Sequence, residues 1–277
     1  MNSANRDAMT FPLTTAIVLA HNSSGTLQRC LDSFLTNGSQ ASFIHRVIIV
    51  ENGSTDESRS IVQRFCKNHP FAEAILCERN LGTTATRNKA IKRVKTEQIL
   101  LLDSDAYVTP EVVAILTDRL QEDSKIGIVS PRLQYANGRY QLSVDRFPTL
   151  LRKLQRYFFL RSLEVERYSE TACVDYSISA AWLVRKQTFD EIGMFDEQIF
   201  FGPEDVELCM RLWKAGYKVV YEPSAVMIHD AQELSRSWIP NKYTFIHLRG
   251  LIRYFVKHRY ILHVGRVKRK YKIPKND

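Results

Sequence analysis

The sequence has no apolar run that approaches the roughly 20 residues a helix needs to cross a bilayer. Its first apolar stretch, Thr14–Ala20, is too short for the core of a signal peptide, and no basic cluster precedes it. The five cysteines show no CxxC spacing, so they indicate neither a zinc site nor a disulfide framework. These absences favour a cytoplasmic protein with reduced, buried thiols.

The net positive charge of the chain is confined to its C-terminus. The 277 residues carry a net charge of +9, but residues 240–277 contain eleven lysines and arginines and one acid, a net +10. The body of the chain is therefore close to neutral. A nucleic-acid-binding protein would account for the basic tail, but the acidic groups at the predicted strand ends would repel phosphates unless a metal intervened. The sequence therefore argues against a nucleic-acid partner.

The first half of the chain alternates short β-rich runs with helical patterns, which predicts a parallel sheet with crossover helices. The predicted strands are Thr15–Ala20, Arg46–Val50, Ala74–Cys77, a strand ending in Asp103, and Gly127–Ser130. The first predicted helix carries Leu27, Cys30, Leu31 and Phe34, and the second begins at Ser54 or Thr55. The third spans Thr84–Val94, and the fourth follows Pro110. This pattern therefore predicts an α/β fold with a nucleotide-binding half at residues 14–130.

After Pro131 the pattern changes. The sequence predicts a hairpin at Arg132–Ser143, a basic aromatic helix at Phe147–Val165, a strand at Ala180–Arg185, a helix at Glu204–Ala215 and a strand at Val219–Glu222. Since we find neither repeats nor a low-complexity linker, we predict one domain at 14–238, of which 131–238 forms the second half. A short extension, 1–13, precedes it, and a basic amphipathic segment, 239–277, follows.

Asp103 and Asp105 follow the apolar run Gln98–Leu102, two residues apart. Charged carboxylates must stay hydrated, paired or bound to a metal, and a tight turn past a strand can aim both at one point. Hard oxygen ligands of this kind suit Mg²⁺ or Mn²⁺, which keep positions open for substrate phosphates. Taken alone, the tripeptide Asp103–Asp105 is explained equally well as a solvated turn that caps the next helix.

Polar side chains also follow the other predicted strands, as His21-Asn22, Glu51-Asn52 and Arg79-Asn80. In an open α/β sheet, ligands bind beyond the carboxyl ends of the strands. Glu51 stands where a nucleotide-binding half places an acid against a ribose or base, although a turn carboxylate is an equal alternative. Arg87, near a helix start, could reach a nucleobase or phosphate; a plain surface arginine is the alternative.

A second acidic group, Glu204, Asp205 and Glu207, opens an amphipathic helix. Acids there favour the helix dipole, but three within four residues exceed what capping needs. A carboxylate beside an apolar wall can serve as a general base. His229, after an apolar run, is usually structural, but the aspartate pair makes it a candidate third metal ligand. Trp182 is a candidate sugar-stacking residue or a core residue.

Taken together, these residues resemble the inverting family 2 glycosyltransferases, which have the GT-A fold with a mixed central sheet, and the pattern is most similar to their rhamnosyltransferase-like branch. The resemblance extends from about Thr14 to His229. Its motifs are Ile17–Asn22 with Leu27–Leu35, Val47–Asp56, Arg87-Asn88, Leu101–Asp105, and the stretch Ser179–Tyr217.

The resemblance implies a metal-dependent transfer of one sugar from a nucleoside-diphosphate sugar, UDP- or dTDP-linked, to a hydroxyl of a glycan or lipid-linked glycan. Asp205 would be the base, and Asp105 and His229 would ligate Mg²⁺ or Mn²⁺. The nucleotide sugar would contact His21, Asn22, Glu51, Arg87, Asp103 and Ser104, and the acceptor would lie near Trp182 and Glu204. The product would serve surface polysaccharide assembly.

The chain departs from the family pattern at three places. Glu51 stands where aspartate is commoner, and Asp230-Ala231-Gln232 replaces a glycine-rich loop. Gln232–Trp238 matches the QxxRW motif of processive synthases only loosely, which favours single-sugar addition. A nucleotidyltransferase would need a glycine-rich basic loop after the first strand, which His21–Gly25 is not. A non-catalytic nucleotide-sugar-binding protein would keep the same residues and stays an alternative.

The C-terminal segment has an apolar face of Phe245, Leu248, Ile252, Phe255 and Val256 beside a basic face of Lys242, Arg249, Arg253 and Lys257. We predict that this apolar face packs on the catalytic domain. The cluster Arg266–Lys272 is predicted to contact an anionic membrane, which would make the protein peripheral on the cytoplasmic face.

Overall fold

The computed structural model describes residues 13–153, 166–231 and 242–274. Within these ranges a nine-stranded mixed sheet has the order β10-β13-β8-β12-β6-β1-β4-β5, with β7 paired to β13. The strands β6, β1, β4 and β5 run parallel to one another, whereas β12 is antiparallel to both of its neighbours, β6 and β8. The predicted mixed α/β architecture is confirmed.

The strands of this sheet are β1 Thr14–Ala20, β4 Arg46–Asn52, β5 Ala72–Cys77, β6 Gln98–Asp103, β7 Ala106–Tyr107, β8 Ile126–Gln134, β10 Ala172–Cys173, β12 Ala181–Arg185 and β13 Lys218–His229. Short pairs form from β2 Leu35–Thr36 with β3 Ser39–Gln40, and from β9 Val144–Asp145 with β11 Tyr176–Ser177. The helices are Leu27–Asp32, Ser58–Asn68, Thr83–Ile91, Pro110–Glu122, Lys186–Ile192, Glu204–Lys214, Lys242–His258 and Gly265–Lys270.

The sheet is buried on both faces, which explains why its strands are continuously apolar. Alternate residues of β6 enter different cores: Leu100 and Leu102 join one cluster, and Ile99 and Leu101 join the other. The first core is covered by the helices Leu27–Asp32, Ser58–Asn68 and Pro110–Glu122. The second core is covered by Thr83–Ile91, Glu204–Lys214 and the C-terminal helix. The result is a three-layer arrangement.

The helix after β4 begins later than predicted. It starts at Ser58, whose amide donates to Oδ1 of Asp56 at 3.0 Å. The amide of Ser54 instead donates to Oε1 of Glu51 at 2.6 Å. Ser54 and Thr55 therefore belong to the loop at the strand end, and neither caps the helix as expected.

The strand that carries His229 is longer than predicted, because Val219–Glu222 is only the first part of β13. A bulge between Glu222 and Val226 lets the strand continue beside β8 and reach β7. The predicted turn at Asn137-Gly138 lies inside an antiparallel bridge from Gln134 to Tyr140. The helix predicted at Phe147–Val165 and the segment Gln232–Trp238 lie largely or wholly outside the described residues.

The long C-terminal helix, Lys242–His258, packs on the domain with a different face from the predicted one. Leu251, Tyr254 and Phe255 are buried, whereas Phe245 and Val256 are 67% and 72% exposed. Among the predicted apolar face only Phe255 is in the core. None of the described helices is both long enough and apolar enough to cross a membrane.

Candidate metal and catalytic site

Three strand ends meet through a hydrogen-bonded polar network. Nδ1 of His21, after β1, lies 3.0 Å from the carbonyl oxygen of Asn52, and its Nε2 lies 2.9 Å from Nδ2 of Asn80. Asn52 in turn donates from Nδ2 to Oδ1 of Asn80 at 3.0 Å. Asn22 adopts a left-handed conformation with φ of 49° and accepts the Thr55 amide at 2.8 Å. His21 and Asn22 therefore hold the strand-end loops in place.

Glu51 lies at the end of β4 and is fully buried. Its Oε1 accepts the Ser54 amide, while Oε2 lies 3.8 Å from the Arg59 guanidinium and has no hydrogen bond within the described residues. A buried carboxylate oxygen without a donor is costly unless a ligand supplies one. The hydroxyl of a ribose or the N–H of a base has the required chemistry.

Asp103, Asp105 and His229 form one group, which we call the carboxylate cluster. One ligand atom from each lies within 4.8 Å of the others. The cluster forms because β13 pairs with β7 in a register that sets His229 opposite Ala106, next to Asp105. A further backbone hydrogen bond of 2.8 Å from Asp230 to the carbonyl of Asp105 fixes the two segments. Residues far apart in the chain thus meet at one sheet edge.

The hydrogen bonding of His229 is compatible with a metal ligand. Its Nδ1 lies 2.7 Å from Oε1 of Gln141, so a proton on Nδ1 would be donated to that oxygen and would leave Nε2 as the ligand atom. Nε2 lies 3.1 Å from Oδ1 of Asp105, which is an ion-pair distance when the imidazole is protonated, and that oxygen is buried. A cation held by these two atoms would take the place of the proton between them. The residues therefore fit Mg²⁺ or Mn²⁺.

Arg87 contacts the carboxylate cluster through Asp103. Its Nη2 donates to Oδ1 of Asp103 at 2.6 Å and to the carbonyl of Ser179 at 3.0 Å, and its side chain is only 2% exposed. A guanidinium so enclosed orients Asp103. The part of Arg87 in nucleotide binding stays a prediction. Ser104 is also buried, at 8% exposure, between the two aspartates.

Burial raises the pKa of Asp103, with the charge of Asp105 acting in the same direction and that of Arg87 in the opposite one. The carboxyl therefore sits in an environment that penalises its negative charge. A bound cation would favour the ionised form, because it supplies the missing positive charge.

Glu204 and Asp205 lie at the N-terminus of the helix Glu204–Lys214. Oε1 of Glu204 is 3.9 Å from Nη1 of Arg87, so this arginine lies between the carboxylate cluster and the acidic helix start. Burial raises the pKa of Glu204 to about 7, assisted by the charge of Asp205 and opposed by Arg87. Asp205 is half-buried and accepts the Val206 amide at 2.7 Å. Two adjacent carboxyls thus have different environments.

The loop before these acids is fastened to the helix Thr83–Ile91. The carbonyl of Phe200 accepts the Thr83 amide at 2.8 Å, and the carbonyl of Ile199 accepts the Thr84 hydroxyl at 2.7 Å. Asn88 exchanges two hydrogen bonds with the backbone of Phe195, at 2.9 and 3.0 Å. We call residues 199–203 the acceptor-side loop. Its position relative to the cluster is set by the same helix that carries Arg87.

The C-terminal helix supports this loop from the other side. A Cβ on Gly202, where φ is 48°, would stand 2.4 Å from Nδ1 of His247, and one on Gly250 would stand 2.2 Å from the Gly202 carbonyl oxygen. Glu207 is fully buried and binds Arg211 and Lys257, at 2.9 and 2.7 Å. The helix with Asp205 is therefore held by the C-terminal segment.

Trp182 lies in the second core. Its side chain is fully buried and its ring stacks on Phe195 at a centroid distance of 6.4 Å. This burial favours the core alternative for Trp182 over the sugar-stacking one. The residues that sequence reasoning missed are Gln141, Ser179, His247 and Gly250. No local motif marks them, because each acts only through a partner distant in the chain.

Residues 15–193 match the model of the family described as glycosyl transferase family 2. This match covers more than half of the chain. The chain belongs to glycosyl transferase family 2. The family 2 match ends before Asp205 and His229, so the roles of those two residues rest on the geometry above.

Two curated relatives illustrate the similarity of this family 2 chain to bacterial enzymes. It is 32% identical over 201 residues to the pre-mycofactocin glycosyltransferase of Mycobacterium tuberculosis, covering 71% of this chain and 40% of the relative. It is 26% identical over 205 residues to the N-acetylglucosaminyl-diphospho-decaprenol L-rhamnosyltransferase of the same organism, covering 66% of each chain. The family 2 chain therefore spans about two fifths to two thirds of these relatives.

Solved structures confirm the GT-A fold. GalNAc-T7 in complex with UDP, GalNAc and Mn²⁺ matches with a TM-score of 0.67 and 14% identity, over 90% of this chain and 48% of that one. The mannosyltransferase PcManGT from Pyrobaculum calidifontis, in complex with GDP-Man and Mn²⁺, matches with a TM-score of 0.61 and 19% identity, over 91% and 65%. At these identities the likeness concerns the fold.

Proposed function

We propose that this protein transfers a single sugar from a nucleoside-diphosphate sugar to a hydroxyl group of a glycan acceptor, with inversion at the anomeric carbon. The observation that carries the proposal is the carboxylate cluster together with the acidic helix start, joined through Arg87. A donor diphosphate needs a cation, and an acceptor hydroxyl needs a base. The chain brings candidates for both to one edge of the sheet.

Asp105 and His229 would hold Mg²⁺ or Mn²⁺, and Asp103 would contact the ribose or the same cation. When bound, the cation would neutralise the departing nucleoside diphosphate as a Lewis acid. The two GT-A neighbours contain Mn²⁺ together with UDP in one case and GDP-Man in the other, which supports a divalent metal and a nucleotide-linked donor. We expect UDP- or dTDP-linked sugars as the donor class.

Glu51 would bind the nucleoside, because its buried Oε2 lacks a donor that a ribose hydroxyl or a base N–H supplies. Arg87 would orient Asp103 through their 2.6 Å contact and would oppose the rise in its pKa that burial causes. His21 and Asn22 would keep the loops around the nucleoside in shape. These assignments put the nucleotide over β1, β4 and β6, at the carboxyl ends of the parallel strands.

Asp205 would remove the proton from the acceptor hydroxyl as the oxygen attacks the anomeric carbon. The bond to the nucleoside diphosphate breaks as the new glycosidic bond forms, so one displacement inverts the configuration. Glu204, whose pKa is raised to about 7, would be partly protonated at neutral pH and would donate a hydrogen bond on the acceptor side. A hydroxyl acceptor is favoured, since a phosphate acceptor would need no base.

The acceptor is proposed to be a lipid-linked glycan, presented at the cytoplasmic face of a membrane. One relative is named for rhamnosyl transfer to an N-acetylglucosaminyl-diphospho-decaprenol, a sugar on a prenyl lipid. The net charge of +10 in residues 240–277 suits the anionic surface on which such an acceptor would lie.

The decisive experiment is thermal-shift stabilisation by UDP, dTDP and GDP, each with Mn²⁺, Mg²⁺ or EDTA, on the wild type and on Asp105→Ala. We expect a base-selective shift that requires the metal and is lost in the variant. Asp118→Ala, an exposed acid on Pro110–Glu122, is the matched control and should keep the shift. No shift with any nucleotide would refute the proposal.

Transfer itself is tested by incubating the protein with lipid-linked acceptors and with sugars linked to the nucleoside diphosphate that stabilises it. Release of nucleoside diphosphate and an inverted anomeric linkage by NMR are expected. Formation of a nucleotide sugar from a nucleoside triphosphate and a sugar 1-phosphate, with release of pyrophosphate, would indicate a nucleotidyltransferase instead. Binding of the sugar nucleotide without transfer to any acceptor would favour the non-catalytic binding protein.

A further inference from the structure

Most of the large apolar side chains that are exposed among the described residues lie on and beside the C-terminal helix. We call them the apolar ridge; its members are Leu150, Leu151, Phe245, Leu248, Ile252, Val256, Ile261 and Leu262. Their exposed fractions range from 46% for Leu150 to 72% for Val256. Monomeric soluble proteins rarely expose contiguous apolar patches of this kind without a partner.

The ridge is continuous. Phe245, Leu248, Ile252 and Val256 recur at spacings of three and four residues along Lys242–His258, so they form one stripe of the helix. Beyond the helix, the amide of Leu150 donates to the carbonyl of Ile261 at 3.0 Å, which sets the remaining members beside its end. The ridge therefore combines two segments of the chain.

The ridge faces outward because the opposite side of the helix is fixed to the domain. Leu251 and Tyr254 are buried, and Arg253 and Lys257 bind Asp196 at 2.9 and 2.7 Å. Lys257 also binds the buried Glu207. Rotating the helix to bury the ridge would break these ion pairs and leave Glu207 uncompensated, which is costly. The exposure is thus built into the docked position.

Positive charge accompanies the ridge in the same part of the chain. Exposed basic residues on the ridge helix and just after it, which we call the basic border, are Arg249, Arg259, Arg266, Arg269, Lys270 and Lys272. Residues 240–276 contain no acid at all. An apolar stripe with a basic border matches the headgroup and acyl boundary of an anionic bilayer, where each basic residue strengthens binding about fivefold.

The ridge also adjoins the acceptor-side loop. His247 and Gly250, on the inner side of the ridge helix, contact Gly202 of that loop, and Phe200 of the loop is itself 40% exposed. Asp205 follows three residues after Gly202. A surface in contact with the ridge would consequently lie next to the loop that leads to the proposed base.

We propose that the apolar ridge and its basic border dock the protein onto an anionic lipid bilayer, with the apolar side chains entering the headgroup region and the arginines binding lipid phosphates. A second copy of this chain fits less well, because a two-fold interface would bring the same basic border against itself. The statement that docking presents a lipid-linked acceptor to Asp205 rests on the proposed function. Docking onto the bilayer does not rest on the proposed function.

The test is co-sedimentation of the full chain with phosphatidylcholine vesicles, with and without phosphatidylglycerol. We expect binding only to the anionic vesicles, weakened by salt. Leu248→Gln/Ile252→Gln should lower partitioning onto the vesicles about tenfold or more, since two aliphatic side chains that enter the bilayer are lost. Phe245→Gln/Val256→Gln is a second, independent variant on the same stripe. Arg249→Glu/Arg266→Glu should abolish the preference for anionic lipid.

The matched controls alter similar residues elsewhere. Val226→Thr removes an exposed apolar side chain on β13. Lys67→Glu/Lys92→Glu reverses two exposed charges, one on the helix Ser58–Asn68 and one directly after the helix Thr83–Ile91. Both variants should bind vesicles as the wild type does. Unchanged melting temperatures show that the variants fold. Equal binding of wild type and ridge variants, or no binding by the wild type, would overturn the proposal.

Light scattering tests the alternative that a second copy of this chain covers the ridge. A wild-type dimer that becomes monomeric in the ridge variants, without vesicle binding, would make the ridge a self-association surface and overturn membrane docking. Nucleotide-dependent thermal shifts on the same samples separate the two proposals. Vesicle binding without any nucleotide shift would leave the docking intact and refute the transferase, whereas the converse would refute docking alone.

Discussion

Nε2 of His229 lies 3.1 Å from Oδ1 of Asp105, although one residue ends β13 and the other follows β6. The contact depends on the pairing of β13 with β7 and on Gln141, which accepts the hydrogen on Nδ1. The ligand atoms of the two residues are close enough to share one divalent cation. The metal affinity of this protein should therefore depend on Gln141, which lies outside the ligand set.

Gln141→Leu should weaken binding of Mn²⁺ about 10-fold to 100-fold, because the histidine loses the partner that fixes its tautomer. The measurement is calorimetric titration of the metal in the presence of the stabilising nucleotide. Gln187→Leu, at an exposed helical position, is the control and should bind as the wild type does. Unchanged affinity in Gln141→Leu would show that the Gln141 contact does not tune the ligand.

Asp205→Asn should reduce kcat by about 10²-fold to 10⁴-fold while the nucleotide-induced thermal shift stays at the wild-type value. The amide keeps the shape of the side chain and loses the ability to accept the acceptor's proton. Asp190→Asn, on an exposed helix, serves as the comparison. A variant that turned over normally would remove Asp205 from the proposed chemistry.

Glu204→Gln should become more stable relative to the wild type as the pH rises. The folded protein raises the pKa of Glu204 from 4.5 to about 7, so between these values the folded state binds more protons than the unfolded state. The wild type therefore loses stability across that interval, and the glutamine variant escapes this loss. Urea unfolding at several pH values measures the difference.

Glu207→Gln, three residues along the same helix, should behave in the opposite way. Burial alone would raise the pKa of Glu207, but His258, Arg211 and Lys257 lower it from 4.5 to about 2. This carboxylate stabilises the fold above pH 4.5 and ceases to do so as the pH falls through about 2. The variant should be less stable at neutral pH, with a deficit that shrinks in acid. Identical pH profiles for the two variants would contradict both assignments.

Gly250→Ala should destabilise the fold by about 1–3 kcal/mol and lower turnover, because the new methyl would collide with the Gly202 backbone. Alanine otherwise favours a helix, so Gly265→Ala, which meets nothing within 4 Å, should be neutral or stabilising by up to about 1 kcal/mol. Chemical denaturation and initial rates measure both effects. Equal stability of the two variants would show that the helix does not buttress the acceptor-side loop.

The strands and most helices follow from the sequence because their periodicity and flanking turn residues are local. Asp103 and Asp105 were recognisable because charged carboxylates directly after a buried strand must stay hydrated, paired or bound to a metal. The late start of Ser58–Asn68 was not, since Ser54 and Asp56 both offer caps and only the Glu51 contact decides between them. Local chemistry predicts that a cap exists and leaves open which residue provides it.

The sequence by itself determined the layered α/β fold, the acids at the strand ends and the amphipathic character of the C-terminal helix, because each depends on neighbours in the chain. The tertiary structure decided that Arg87 and Trp182 are enclosed, that Gln141 supports His229, and which helix face is exposed. Helical spacing defines apolar stripes, but two stripes of similar hydrophobicity compete for the core. The buried charge of Glu207 and the close approach at Gly250 settle that competition.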